Sequence, residues 1–421
     1  MKKTLTARDI GIKSAASASD KAPDSEEVRE WLNELGDARK REKDFRKEGK
    51  RVTDLYEGKL PAESPFNILY SNTETMMPAL YNSTPVPVVQ RRFKDEDPLG
   101  LMCSQIGERA LKYLIDDGNA EYTPFDDLMK SATLEGLLPG RGVTRFKYDA
   151  TFTEAPAKVE GEAPEESVSY ETVCGEEVPW DRFLHGNAKK WKDVPWAAFE
   201  HFMTREEMER NFAEIGAQVP VTELIRNDAT QTEQDSDTGR SSATGTAGTK
   251  VAQVFEIWDK EEKQVIFVSP QWKRSPLKKV ADPLALAGFF PCPKPLQFLT
   301  KVSTLTPVAL YTMYEEQAKE LNRITVRINR LIAALKVRGL YDSTVEGLDK
   351  VLKADDNVLI AAENVAGLLA QGNALEKAIW LVPIEKFVTV LQQLYLQREQ
   401  VKTIIYELTG VADIMRGSSA A

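Results

Sequence analysis

Residues 310–335 read LYTMYEEQAKELNRITVRINRLIAAL, and one repeat runs through them: Leu310, Tyr314, Gln317, Leu321, Ile324, Ile328, Leu331 and Leu335 recur at alternating steps of four and three. Side chains so spaced share one stripe of an α-helix. The spacing predicts a straight helix that starts near Thr306 and holds its seam for about 30 residues, roughly 45 Å at 1.5 Å per residue. The other side carries Glu316, Glu320, Arg323, Arg327 and Arg330 at the same spacing. That row is either the solvated back of a packed helix or a contact for a polyanion or an adjacent subunit. A helix with a single apolar stripe buries little alone, so it needs a partner surface.

Beyond the seam, acidic and Gly-containing turns hold Asp342, Glu346, Asp349, Asp355 and Asp356, and the short runs NVLIAAE (357–363) and KAIWLVPI (377–384) predict strands. A second helix is expected from Pro383, with Phe387, Leu391, Leu394, Val401, Ile405 and Leu408 as its apolar positions. Gly410 suits a left-handed stop. A small sheet module thus interrupts two helices.

Toward the N-terminus, Ser25 to about Glu57 is densely charged around Val28, Trp31, Leu32, Leu35, Val52 and Leu55, which predicts one or two helices resting on a larger body. The stretch NILYSNTETMMPALYNSTPVPVVQRRF (67–93) predicts a packed helix through Ile68, Leu69, Met76, Met77, Leu80 and Tyr81. Pro85 and Pro87 then force extended chain. Arg91 and Arg92 are candidates for a surface or subunit contact. Asp97-Pro98 and Thr123-Pro124 are start signals for helices that end near Gly118 and Pro139-Gly140.

From Gly142 the period becomes two. VTRFKYD (143–149), SVSYETV (167–173), VFEIWD (254–259) and KQVIFVS (263–269) read as strands, the last two joined as a hairpin through KEE. TEAPAKVEGEAPEES (153–167) and the segment 226–250 are too polar to offset their ordering entropy and are expected to be mobile loops. The fold class is α+β.

A chain of 421 residues exceeds the usual size of one hydrophobic core. Its net charge of −10 argues against a basic nucleic-acid binder at the level of the whole chain. Cys103, Cys174 and Cys292 are far apart, as expected of packing thiols in a reducing compartment. Residues 1–24 form a flexible tail; Thr6, Arg8, Asp9 and Lys13 interrupt any signal-peptide core. No run approaches the roughly 18 apolar residues of a membrane helix, so no membrane association is expected.

Chemistry is sparse. No phosphate-loop, metal-helix or nucleophile-elbow motif occurs. LPGRGV (138–143) could cradle phosphate, but it lies between a helix end and a strand, the reverse of the order that aims amides at phosphate, and a turn is expected. His185 and His201 lack further histidines to complete a His-rich zinc site and are expected to be structural. Asp95-Glu96-Asp97 and Asp126-Asp127 could hold two metals, yet carboxylates at helix N-termini explain both clusters. No cofactor, metal or catalytic residue is expected.

The order of parts resembles the portal proteins of tailed bacteriophages, the head-to-tail connectors, and is most similar to those of short-tailed phages. The likeness rests on ILYSNTETMMPALYNSTPVPVVQRRF, on LEGLLPGRGVTRFKYD, on VPWDRFLHGNAKKWKDVPWAAFEHFMTREEMERNF, and on a helix, sheet, helix order followed by GVADIMRGSSA. It covers the chain from about Leu55 onward, and its specificity lies in the order of segments.

The resemblance implies a portal-type fold: residues 25–305 as the wing, 306–338 as the first stem helix, 339–382 as a β-containing clip, 383–410 as the second stem helix, and 411–421 as the start of the tunnel-loop region. In the family a further helix and usually a helical crown follow; this sequence ends at Gly417-Ser418-Ser419-Ala420-Ala421, so the crown region is absent from it. The resemblance also implies a non-enzymatic subunit of a dodecameric ring at one capsid vertex, assembled in the host cytoplasm and resident in the virion. Double-stranded DNA would pass through without sequence-specific contact. Glu316, Glu320, Arg323, Arg327, Arg330, Asp413 and Arg416 become channel or subunit-contact candidates. Asp342, Glu346, Asp349, Asp355 and Asp356 would dock the terminase large subunit and later the tail adaptor or head-completion proteins. Arg91 and Arg92 would be wing contacts, and the major capsid and scaffolding proteins further partners. Two rivals remain: a filamentous or coiled-coil scaffold, and a nuclease using carboxylate-bound metals.

Overall fold

The computed structural model describes residues 24–59, 65–91, 97–116, 122–155, 165–223, 250–334, 339–341, 379–381 and 384–411. Their backbone groups into two compact units, one from within 1–59 and 69–313, the other from within 60–68 and 314–412. The chain is a mixed helix-and-sheet protein.

In the first unit, helices α1 (Glu26–Arg41) and α2 (Lys43–Tyr56) are followed by α3 (Ile68–Leu80), α4 (Pro98–Asp116) and α5 (Phe125–Leu137). Strands β1 (Val143–Ala155) and β2 (Glu165–Val178) pair antiparallel. Next come β3 (Phe183–His185), β4 (Trp196–Thr204), α6 (Arg205–Gln218), β5 (Thr222–Glu223), β6 (Lys250–Asp259), β7 (Gln264–Val268) and β8 (Lys278–Ala281). These strands form an antiparallel sheet in the order β3-β4-β6-β7-β8, with β5 on β6.

Both faces of this sheet carry buried apolar side chains. Ala198 of β4, Phe255 and Ile257 of β6, and Ile266 and Val268 of β7 meet Val28, Leu35 and Ala38 of α1. The alternate positions Ala197, Phe199, Trp258 and Val265 face Val143, Val178, Phe289, Phe290 and Leu305. Near the far end of β6, Met208 and Phe212 of α6 cover Ala252 and Val254. A capping box fixes the start of α6: the Glu207 N–H donates to the Thr204 hydroxyl, and the Thr204 N–H donates back to the Glu207 carboxylate.

Several sequence expectations change. The β1–β2 ladder extends to Ala155↔Glu165, so both ends of the segment 153–167 are paired strand. Cross-strand hydrogen bonds hold these polar residues where composition argued for a loop. Residues 224–249 lie outside the described residues. Within α3, Ile68, Leu69 and Met76 are buried as expected, but Leu80 is half exposed, two residues past Pro78.

The second unit holds α7 (Glu315–Ala334), the antiparallel pair β9 (Gly339–Tyr341) and β10 (Ile379–Leu381), and α8 (Ile384–Thr409). Its first helix is shorter than the seam suggests: 20 residues, or about 30 Å. Pro307 cannot donate to a helical ladder and disfavours helical backbone at Thr306. Pro307 instead bridges Thr300, the Val308 N–H donates to Leu299 O, and a 3-10 turn spans Leu310–Met313. α8 begins and ends as read, with Gly410 at φ +68°. Of the described residues in KAIWLVPI, Ile379–Leu381 are strand and Ile384 already belongs to α8. NVLIAAE lies outside the described residues.

Candidate functional site

The four-and-three repeat of residues 310–335 contributes α7 to a helix pair with α8. On α7, Tyr314, Ala318, Leu321, Ile324 and Ile328 are buried; on α8, Leu394, Val401 and Ile405 are. The β9–β10 pair reverses the chain, and α8 runs back along α7 with Gln397 donating to Glu320 (3.4 Å) and Arg398 Nε to the Thr325 hydroxyl (3.3 Å). Arg398 also lies 4.9 Å from the Phe66 ring centroid, and the Phe66 N–H donates to Asn322 Oδ1 at 3.1 Å. Tyr395, Leu396, Ile404 and Leu408 of α8 and Ile332 of α7 remain exposed.

The charged row faces outward as the spacing requires. Arg323, Arg327 and Arg330 are exposed, and among the described residues none forms an ion pair or side-chain hydrogen bond. Glu316 is exposed and accepts from Lys319 at 2.8 Å, which holds its carboxyl below the ordinary range. Lys319 also pairs with Glu315 at 3.0 Å. The acidic end of α7 is thus neutralised locally, while three guanidinium groups at steps of four and three are left for an anion or a neighbour. Asp413, Arg416, Asp342, Glu346, Asp349, Asp355, Asp356 and Arg92 lie outside the described residues. Arg91 pairs with Asp97 at 2.6 Å.

LPGRGV is a turn whose arginine points inward. Gly140 adopts φ +105°, and its N–H and that of Arg141 both donate to Glu135 O. Arg141 is fully buried: two nitrogens donate to Glu42 (2.5 and 3.1 Å) and one also reaches Trp180 O (2.7 Å) and Phe183 O (3.0 Å), with Phe45 and Phe183 rings beside it. Burial alone would raise the Glu42 carboxyl, but Arg141, Arg46 and His185 outweigh it and hold it below the usual range. Burial lowers His185, which stands 3.8 Å from Glu42. No phosphate-facing amide cradle results.

His201 Nε2–H donates to the Glu256 carboxylate at 2.9 Å in a second buried network. Arg145 Nη1 (2.8 Å) and Trp258 Nε1 (2.8 Å) complete it. Burial opposes ionisation of Glu256, yet Arg145 and His201 hold its carboxyl far below the usual range. Asp126 pairs with Lys130, and Asp97 caps α4 by accepting from the Leu99 N–H. Among the described residues no group of His, Cys, Asp and Glu is placed to hold a metal ion. None of their helices is long and apolar enough to cross a membrane.

Glu135 behaves oppositely. Its Oε1 accepts from the Trp180 N–H at 3.3 Å, its Oε2 is buried without a partner, and burial, reinforced by Glu177 and Asp181, pushes its pKa to about 8. A folded-state value above the ordinary 4.5 means the native state holds the proton more tightly. The stability this contributes is full below the ordinary value, falls as pH rises, and is lost above about 8. Glu135→Gln is expected to flatten that decline and to stabilise the protein at alkaline pH by about 3 kcal/mol after allowance for partial solvent contact. Urea midpoints measured from pH 4.5 to above about 8 check this; parallel profiles for wild type and variant across that range would contradict it.

No protein-family model matches the chain, and comparison with curated protein sequences returns no significant match.

Proposed function

We propose that the chain is a subunit of a portal-type ring at a capsid vertex, through which double-stranded DNA is packaged and ejected. The observation that carries this reading is the helix, strand-pair, helix unit with its outward row Arg323, Arg327 and Arg330, built into a chain whose remainder is a covered antiparallel sheet with flanking helices. In this reading α7 and α8 are stem helices, and the exposed apolar side chains of α8 meet neighbouring copies. An overall acidic chain, with 65 Asp and Glu against 55 Lys and Arg, suits a conduit, because a strongly basic wall would release many counterions and hold the duplex against sliding. The segment between β9 and β10 docks the terminase motor and later the tail adaptor, and the major capsid and scaffolding proteins surround the wing.

Electron microscopy of the purified protein tests the proposal. Closed rings with a central hole of duplex width support it; filaments would favour the scaffold reading, and monomers at high concentration would defeat it. A second measurement separates the two uses of the arginine row. With Arg323, Arg327 and Arg330 changed to Gln, rings are expected to persist, and DNA association should lose salt dependence by roughly 0.9 in log–log slope per phosphate contact removed, equally for unrelated DNA sequences. Loss of rings would instead assign the row to a subunit contact.

A further inference from the structure

Residues 39–51, which close α1 and build most of α2, carry eight Lys and Arg against three Asp and Glu in a chain of net charge −10. The fold sorts these cations by type. Arg39 pairs with Glu200 at 2.7 Å, and Arg46 reaches Glu42 at 3.3 Å and Phe183 O at 3.2 Å, so two guanidinium forks clip the helices to the sheet. Arg51 is taken by Glu48, and Lys40 by Asp37 at 3.0 Å. Lys43, Lys47 and Lys50 recur at steps of four and three on the side of α2 opposite the buried Phe45, Gly49 and Val52. Lys43 and Lys47 are exposed and Lys50 half-exposed; among the described residues, Lys47 and Lys50 form no ion pair or side-chain hydrogen bond. Of the carboxylates beside them, Asp54 is held by Lys59 at 2.9 Å, which leaves Asp44 to offset one charge.

A second cationic element is tied to the same helices. The β3–β4 connection carries Lys189 and Lys190, both exposed and, among the described residues, without an ion pair. Arg41, itself exposed, donates to His185 O at 3.0 Å and fixes the start of that connection to the α1–α2 junction. The Gly186 N–H donates to Trp196 O at 2.8 Å, and the Trp191 ring packs against Phe183 and Phe290 at 6.3 and 5.5 Å between centroids. Both lysines are therefore displayed from anchored backbone, which lowers the ordering cost of binding. Lys43 to Lys50 spans about 10 Å of helix, a length over which one strand of a duplex presents about three phosphates. The surroundings decide the occupant. Residues 24–59 and 181–196 expose no large apolar side chain. A protein partner needs an apolar or aromatic centre and few lysines, whereas a phosphate backbone needs only fixed cations, so a local reversal of sign in an acidic chain fits nucleic acid.

We infer that the outward lysines of α2, with Lys189 and Lys190, bind the phosphate backbone of duplex nucleic acid at a site separate from the arginine row of α7. This site is independent of the ring reading, because single chains and rings would both carry it. The test is fluorescence anisotropy of a labelled DNA duplex of about 30 base pairs with the full chain, between about 50 and 200 mM salt. Lys47→Gln with Lys50→Gln should lower the log–log salt slope by about 2 and weaken binding roughly 50-fold at about 0.1 M salt. Lys189→Gln with Lys190→Gln should remove about as much again, and both losses should be equal for unrelated sequences. The thermal melt of each variant is expected to stay that of wild type, since none of the four ammonium groups holds a partner among the described residues. Salt slopes unchanged in both lysine variants would overturn the inference, whatever the α7 variant does and whether or not rings form. Wild-type rings that bind no duplex at about 50 mM salt would overturn it and leave the ring reading intact. Monomers whose duplex binding the lysine variants weaken would uphold it and defeat the ring. Preference for vesicles of phosphatidylserine and phosphatidylcholine over duplex, lost in the same variants, would overturn it and give the face to an anionic membrane surface.

Discussion

Replacing Arg141 with alanine is expected to cost about 3 kcal/mol, because it takes the paired donors from the buried Glu42 carboxylate and the Arg141 donor from Trp180 O, while Arg46 keeps a single contact to Glu42 at 3.3 Å and to Phe183 O at 3.2 Å. The four hydrogen bonds from Arg141 to Glu42, Trp180 O and Phe183 O tie the junction of α1 and α2 to the turn before β3. Arg141→Lys should recover little, since an ammonium cannot match the planar fork that serves Glu42 and the carbonyls together. Adding Glu42→Leu to Arg141→Met should recover part of the loss by removing the under-paired carboxylate, but not all, because Arg46 then loses its partner at 3.3 Å. Urea titration followed by tryptophan emission suits the measurement, as Trp180 borders the site. A loss below 1 kcal/mol for the alanine variant would show that the network is not the tie described.

Gly142→Ala is the second large effect. A Cβ there would stand 1.9 Å from Ala132 O and 2.7 Å from Ala132 C, both backbone atoms. The strand cannot retreat, because Gly142 exchanges backbone hydrogen bonds with Leu296 at 3.0 and 2.9 Å. A cost of about 3 kcal/mol is expected. Gly36, whose Cβ would meet nothing within 4 Å, is the control: Gly36→Ala in the interior of α1 should stabilise slightly. Equal melting temperatures for the two alanine variants would refute the steric account.

The legible parts of the fold were those whose signals are local. Asp97-Pro98, Thr123-Pro124 and Gly410 mark ends of α4, α5 and α8 because caps and backbone restrictions act within one turn. VFEIWD and KQVIFVS announced the β6–β7 hairpin by alternation across a short turn. The capping box at Thr204 and Glu207 is an equally local signal for the start of α6. What could not be read depends on distant partners. Leu310 fits the heptad seam yet sits in a 3-10 turn, because backbone pairing of residues 299–300 with 307–308 claims the groups a helix would use. Arg141 and Arg323 are the same residue type, one fully buried and one exposed, and nothing in their neighbours announces Glu42, which lies 99 positions from Arg141. The charged row on α7 was legible as a face because helical spacing alone places it. The apolar side chains of α4 were legible as a helix, but not as exposed, since periodicity reports that a face is apolar and not what covers it.

Chemical labelling profits from the uneven burial of the thiols. Of the three cysteines, Cys174 and Cys292 are buried, and burial raises both, Cys292 to about 12. Cys103 on α4 is exposed. A maleimide dye or a nitroxide at neutral pH therefore attaches at one position of the native sequence, with no engineered cysteine and no cysteine-free background to build. The label sits beside a groove at the start of α4, so its emission or spectral mobility reports the surroundings of that helix end, in real time and on single molecules.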